Sequence, residues 1–275
     1  MLIGTFMGLS SGAGVVISQY YGAKNENKVK SAVHTSIALT LILSVVFAVV
    51  GILITPFALN IMLRSNNDAS AIYPHAKKYL IIYFSGIIGL LIYNMGSGIL
   101  RAVGDSRRPF YFLVVSAISN VILDLVFVNA LGMAADGVAL ATIISQGLSA
   151  VLVLITLIRT KSVIRLVWSE LRIEMQTLKN IIRIGFPAAI QMALTAFSNI
   201  FVQSYIVGAN GTPEYLLSGW TSYTKIDQFI FLPVQSISLA VTTFVGQNLG
   251  INDIKRARKG TMQAYLMATG VTVFV

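Results

Sequence analysis

Gln19-Tyr20-Tyr21-Gly22-Ala23-Lys24-Asn25-Glu26-Asn27-Lys28-Val29-Lys30-Ser31-Ala32 closes the first apolar run of this chain. A near copy returns 228 positions later as Gln247-Asn248-Leu249-Gly250-Ile251-Asn252-Asp253-Ile254-Lys255-Arg256-Ala257-Arg258-Lys259-Gly260. Gln and Gly coincide at 19/247 and 22/250, and a base recurs at 28/256 and 30/258. Both copies sit where an apolar segment meets a basic one. A repeat of this length in a hydrophobic chain points to a duplicated membrane bundle. Doubling the period predicts a whole unit of roughly 456 residues and 12 spans, of which these 275 residues hold one period and a little more.

The composition agrees. The chain is 56% hydrophobic and 11% charged, whereas soluble domains carry about 25% charge. Mean hydropathy is +0.78, so charges are too few to cover a water-facing surface. With no cysteine, thiol chemistry and a disulfide framework are excluded. The first 21 residues have neither a basic leader nor a small-residue cleavage site, which argues against a signal peptide.

Seven apolar segments read as spans: Leu2–Tyr21, Thr35–Leu63, Tyr79–Leu100, Pro109–Leu131, Val138–Ile158, Ile181–Val207 and Tyr215–Leu249. An eighth starts near Thr261 and is cut at Val275. Helix is the expected state, because lipid leaves no partner for an unpaired backbone group. The fold class is therefore all-α, a polytopic bundle of two six-helix lobes related by a pseudo-two-fold axis, incomplete here. Pro109 suits a first helical turn, whereas Pro56, Pro187 and Pro233 should bend their helices. Gly86, Gly89, Gly96 and Gly98 suit the third segment to close helix packing.

The basic residues set the orientation. Sixteen lie in the loops after segments one, three, five and seven, and three (Arg64, Lys77, Lys78) in the alternate loops. The first set is cytoplasmic by the positive-inside rule. The net charge of +10 is thereby topogenic, and no nucleic-acid surface is expected. An even number of spans separates the two repeat copies, so the halves are parallel repeats. The expected division is an N-terminal lobe over 1–158, a cytoplasmic amphipathic connector over 159–179, and the start of a C-terminal lobe over 180–275. Ile164, Leu166, Val167, Trp168, Leu171 and Ile173 give the connector its apolar side.

Of the ten acids, two fall within apolar runs. Asp124 is spaced i, i+4 from Asn120, which is i, i+4 from Ser116, so the three share a helix face. A carboxylate deep in a membrane is costly unless it pairs, binds a cation or takes a proton. Asp124 is therefore the candidate coupling-ion residue, with Asn120 supplying a neutral oxygen. Asp227 lies beside Lys225, as a local ion pair or as part of a cavity wall, and Gln191 is a further cavity candidate. Gln19 and Gln247 are expected to hydrogen-bond helix ends. In Arg101-Ala102-Val103-Gly104-Asp105-Ser106-Arg107-Arg108-Pro109, Gly104 supplies a left-handed helix end and Asp105 the turn. With Gly22 and Gly250, these residues are the candidate cytoplasmic turns or gate. His34 and His75 lack metal-ligand neighbours, and no nucleophile elbow or phosphate loop occurs. No enzyme is expected.

Several motifs together resemble the multidrug and toxic compound extrusion (MATE) family. They are Gln19-x-x-Gly22-Ala23, Arg101-x-x-Gly104-Asp105-x-x-x-Pro109, Asn120-x-x-x-Asp124, Gly137 through Gln146, Gly185-Phe186-Pro187 and Gln247-x-x-Gly250. The resemblance implies that segments one to five are the family's second to sixth helices and six to eight its seventh to ninth. It implies that Asn120, Asp124 and Thr142 occupy an N-lobe cation site, to which the family's first helix usually adds an acid. Ile181–Val207 carries no acid, which favours coupling through the N-lobe. The implied function is export of small organic, amphipathic cationic compounds in exchange for H+ or Na+ by alternating access. No cofactor beyond the transported ion is implied. Membrane lipid and a small-molecule substrate are the expected partners, and the full-length protein is expected to act as a monomer in the plasma membrane. The alternatives are a lipid-linked saccharide flippase of the same superfamily, disfavoured by the single base (Lys225) within a span, and an inactive truncated fragment. A major facilitator transporter fits the motifs poorly.

Overall fold

The computed structural model describes residues 2–62, 69–208 and 214–274. Within them the chain is helical almost throughout, as apolar runs in lipid require. Nine α-helices follow one another among the described residues: α1 (Leu2–Gly22), α2 (Glu26–Met62), α3 (Ala69–Ser85), α4 (Ile87–Ala102), α5 (Arg107–Leu125), α6 (Ala135–Arg159), α7 (Met175–Gly208), α8 (Glu214–Gly250) and α9 (Ile254–Phe274). A π-helical turn, Val126–Ala130, continues α5, and a 3-10 turn, Trp168–Glu170, interrupts the segment before α7.

Five described helices are long and apolar enough to cross a membrane: α2, α5 with its π turn, α6, α7 and α8. The pair α3–α4, bent by 44°, makes a sixth. The chain is a multi-pass membrane protein. Helix α1 occupies the first segment read from sequence. The third segment departs from expectation. It starts as early as Ile72 and breaks at Gly86, so Lys77 and Lys78 lie on a helix and not in a loop. Lys78 pairs there with Asp136 at 2.5 Å. Helices α2, α7 and α8 each continue past an internal proline, Pro56, Pro187 and Pro233, which lacks the N–H for its own rung of the ladder. The eighth segment begins at Ile254, which places Lys255, Arg256, Arg258 and Lys259 in the first turns of α9. Arg64, Leu63 and Val275 lie outside the described residues.

By contacts the chain divides into two compact units. One comprises Ile3–Val29 with Asn180–Val275, the other Lys30–Lys179. In the second, α6 is the central helix and packs against α3, α4 and α5. Glycine admits the close approach: the hydrogen of Gly89 faces the Gly147 backbone, where a Cβ would stand 3.0 Å from its nitrogen, and Gly96 faces Val153.

The connector has no α-helix over residues 160–174. Residues 160–174 form an extended strap with one 3-10 turn. Ile164 and Leu166 are buried, while Trp168 is exposed. The reason is backbone pairing with α2 and α6, which an amphipathic helix would forgo. The Leu166 N–H donates to the Leu157 carbonyl, the Glu174 N–H donates to Thr35 Oγ1 at 3.1 Å, and Ser31 Oγ donates to the Glu174 carboxylate. His34, buried on α2, joins that helix to the strap: its Nδ1 meets the Lys30 carbonyl at 2.7 Å and its Nε2 accepts the Val167 N–H at 3.1 Å.

Candidate functional site

Three turns joining helices on the basic side share one geometry. After α1 the Asn25 N–H donates to Tyr20 O and the Lys24 N–H to Tyr21 O, with Lys24 at φ 55. After α8 the Asp253 N–H donates to Asn248 O and the Asn252 N–H to Leu249 O, with Asn252 at φ 58. After α4 the Asp105 N–H donates to Leu100 O and the Gly104 N–H to Arg101 O, with Gly104 at φ 92. This is the Schellman helix end with a left-handed residue. The following residue then caps the next helix: Asn25 Oδ1 accepts from Lys28 N, Asp105 Oδ1 from Arg108 N and Asp253 Oδ1 from Arg256 N, at 3.1, 3.2 and 2.9 Å. The cap shortens the first loop, so α2 begins at Glu26 and not near Thr35. Pro109 sits in the first turn of α5, and its carbonyl accepts from the Tyr93 hydroxyl at 3.0 Å.

In the first unit the repeat copies meet each other. A Cβ on Gly22 would stand 2.6 Å from the Gln247 carbonyl carbon and 2.7 Å from its Cα. Reciprocally, a Cβ on Gly250 would stand 3.0 Å from the Gln19 carbonyl carbon and 2.8 Å from the Ala23 nitrogen. It is therefore the backbone of Gln19 and Gln247, each against the other copy's glycine, that forms the contact; the sequence pointed to their side chains. Along α1, Gly8 and Gly12 meet the α7 backbone at Ala188–Ala189 and Gly185 in the same way.

The polar site lies in the other unit. Helices α5 and α6 are antiparallel neighbours, and Ser116 Oγ donates to the Ser145 carbonyl at 2.7 Å, which sets their register. One and two turns beyond Ser116 on α5 come Asn120 and Asp124. One turn back from Gln146 on α6 comes Thr142, whose Oγ1 donates to the Val138 carbonyl at 2.9 Å. Asn120 and Asp124 are half-buried, and Asn120 Nδ2 and Asp124 Oδ1 are inaccessible and unpartnered. Gln146 Oε1 is in the same condition. Immediately after Asp124 the helix widens into its π turn, an irregularity frequent at functional sites.

The remaining candidates do not join this group. Gln191 on α7, and Lys225 and Asp227 on α8, belong to the first unit and are exposed. Lys225 and Asp227 form no ion pair, because i and i+2 lie on different sides of a helix. Gln146, which the sequence did not single out as a site residue, carries an inaccessible, unpartnered oxygen one turn from Thr142 on α6. The available signal was its i, i+4 spacing from Thr142.

A family model described as MatE matches residues 1–126 and 187–275. The chain belongs to the MatE family. Its members are transporters and not enzymes. Among curated relatives, the Probable multidrug resistance protein YoeA of Bacillus subtilis (strain 168) is 30% identical over 268 residues, covering 94% of this chain and 56% of that protein. The Probable multidrug resistance protein NorM of Thermotoga maritima is 26% identical over 287 residues, covering 97% and 58%. An outward-facing MATE transporter of the MOP superfamily superposes with a TM-score of 0.86 at 23% identity, over 98% of this chain and 59% of that one. The chain thus spans just over half the length of the MatE proteins it matches, and the all-helical membrane fold is theirs.

Proposed function

We propose that this MatE chain serves a cation-coupled exporter of small organic compounds, in which Asp124 carries the coupling ion with Asn120 and Thr142 beside it. The observation that supports this reading most directly is the Asp124 carboxyl itself. It is half-buried in a membrane helix, with one oxygen wholly cut off from solvent and without a hydrogen-bond donor. Such a group is costly as a bare anion and gains most from a proton or a metal cation. Occupancy then changes the charge inside the bundle. A ligand shifts a conformational equilibrium only by its different affinity for the two states, and loading a desolvated carboxylate supplies that difference. Two relatives carry the name Probable multidrug resistance protein, which supports an organic, amphipathic cation as cargo and the plasma membrane as location, and does not favour a saccharide flippase.

The test is efflux of a fluorescent organic cation from vesicles, with pH and sodium gradients imposed separately. Asp124→Asn should abolish gradient-driven efflux while leaving the protein folded. Unchanged gradient dependence in that variant would refute the assignment.

A further inference from the structure

We propose that His34 is a proton-sensitive latch: neutral, it holds the middle of the strap on α2, and protonated, it lets that segment go. The inference stands apart from the reading of Asp124 and would survive its failure.

The two ring nitrogens do opposite work. His34 lies two turns into α2 and is 3% exposed. Its Nδ1 faces the Lys30 carbonyl at 2.7 Å. A carbonyl can only accept, so Nδ1 carries the hydrogen. Its Nε2 faces the Val167 N–H at 3.1 Å. A backbone amide can only donate, so Nε2 keeps its lone pair. These partners fix one neutral tautomer. An imidazolium is a donor at both nitrogens, so either orientation of the ring would set an N–H against the Val167 N–H. The bond then becomes a repulsion.

The surroundings offer the charged ring no compensation. The charged groups on the elements packed here are Glu26, Lys28 and Lys30 on α2, Arg159 at the end of α6, Lys161, Arg165, Glu170, Arg172 and Glu174 along the strap, and Lys179 on α7. All ten are exposed, and seven are bases. The Glu174 carboxylate accepts from the Ser31 and Thr177 hydroxyls. Both nitrogens of His34 are already held by backbone, so a carboxylate gains the ring only if Val167 leaves. The latched state therefore binds fewer protons at His34 than the open one, and acidification favours opening.

The released segment is bounded. On one side Ile164 and Leu166 are buried, and the Leu166 N–H stays on the Leu157 carbonyl at 2.9 Å. On the other, the Glu174 N–H stays on Thr35 Oγ1, which also donates a long 3.5 Å bond to the Arg172 carbonyl. Between these anchors lies Val167 with the 3-10 turn Trp168–Glu170. Losing the His34 bond opens this stretch alone, a local and not a global unfolding. It is part of the link from α6 to α7, so the stiffness of that link answers pH on the basic side of the membrane. Histidine is the side chain whose charge changes near neutral pH.

The experiment is amide hydrogen exchange on the purified chain in detergent micelles, at about pH 8 and about pH 5.5, with rates corrected for their intrinsic pH dependence. Peptides covering 163–171 report the latch, and peptides within α6 report the fold. In wild type, protection at Val167 should fall on the order of tenfold on acidification, with α6 unchanged. His34→Gln offers a neutral acceptor to the Val167 N–H and should stay protected at both pH values. His34→Leu should be unprotected at both. Equal protection at the two pH values in wild type overturns the latch. So does a fall that persists in His34→Gln, which assigns the response to another group. Loss of protection in α6 together with the strap also overturns it, because the acid response is then global unfolding. If the leucine variant fails to fold, the wild-type and glutamine profiles decide.

Discussion

Replacing Gly22 by alanine tests the meeting of the two repeat copies. The new methyl would lie 2.6 Å from the Gln247 carbonyl carbon and 2.7 Å from the Gln247 Cα, where ordinary contact is 3.4–4 Å. All three nearest atoms belong to backbone, so no rotamer change relieves the clash and helices α1 and α8 must separate. Over-packing of this kind costs about 1–3 kcal/mol. Rigid backbone on the far side places Gly22→Ala at the upper part of that range, near ~2 kcal/mol after a small gain in helix propensity. For a chain of this size that is a fall in Tm of roughly 4–8 °C, read by circular dichroism in detergent. Gly250→Ala should fall by a similar amount, because its Cβ meets the backbone of Gln19 and Ala23. The double variant should lose less than the two single losses together, since one separation of the helices relieves both contacts. Gly147→Ala is the control. It has open space around its Cβ position and should gain up to ~1 kcal/mol from propensity. A Gly22→Ala variant as stable as wild type, or no more affected than Gly147→Ala, would refute the crossing.

Further outcomes follow from the turns and the strap. Lys24 holds a left-handed backbone that glycine adopts freely, so Lys24→Gly should stabilise by about 1 kcal/mol, seen as a higher unfolding midpoint. Gly104→Ala should destabilise by a comparable ~1 kcal/mol, since nothing but its backbone conformation opposes the methyl. Asp253→Ala removes the cap on the Arg256 N–H and should cost about 1 kcal/mol in the same assay. His34→Leu leaves the Val167 N–H without its acceptor, at a cost of about 1–3 kcal/mol. Limited trypsin digestion should then cleave faster at Lys161 and Arg165, and an unchanged rate would show that His34 does not hold the strap.

The membrane class, the helical state and the face shared by Ser116, Asn120 and Asp124 were legible in the chain itself. Each depends on residues within one or two helical turns, or on an average over about 20 positions. The three Schellman ends were legible in part: Gly104 announced its turn, whereas Lys24 and Asn252 occupy the same conformation without the glycine signal. The break at Gly86 and the path of the strap at 160–174 were not legible in sequence because they depend on tertiary partners, Ile143 in one case and the α2 surface in the other.

Only the tertiary structure decided which helix each small residue faces. Gly22 reads in sequence as a helix end; its use as a seat for Gln247 depends on a backbone 225 positions away. Ser116 reads as one small polar residue on an apolar helix, and its partner, the Ser145 carbonyl, comes from the packing of α6. Helical periodicity states that a residue has a face. The packing of other helices states what that face meets, and in a bundle where lipid and protein are equally apolar, composition alone carries no record of the choice.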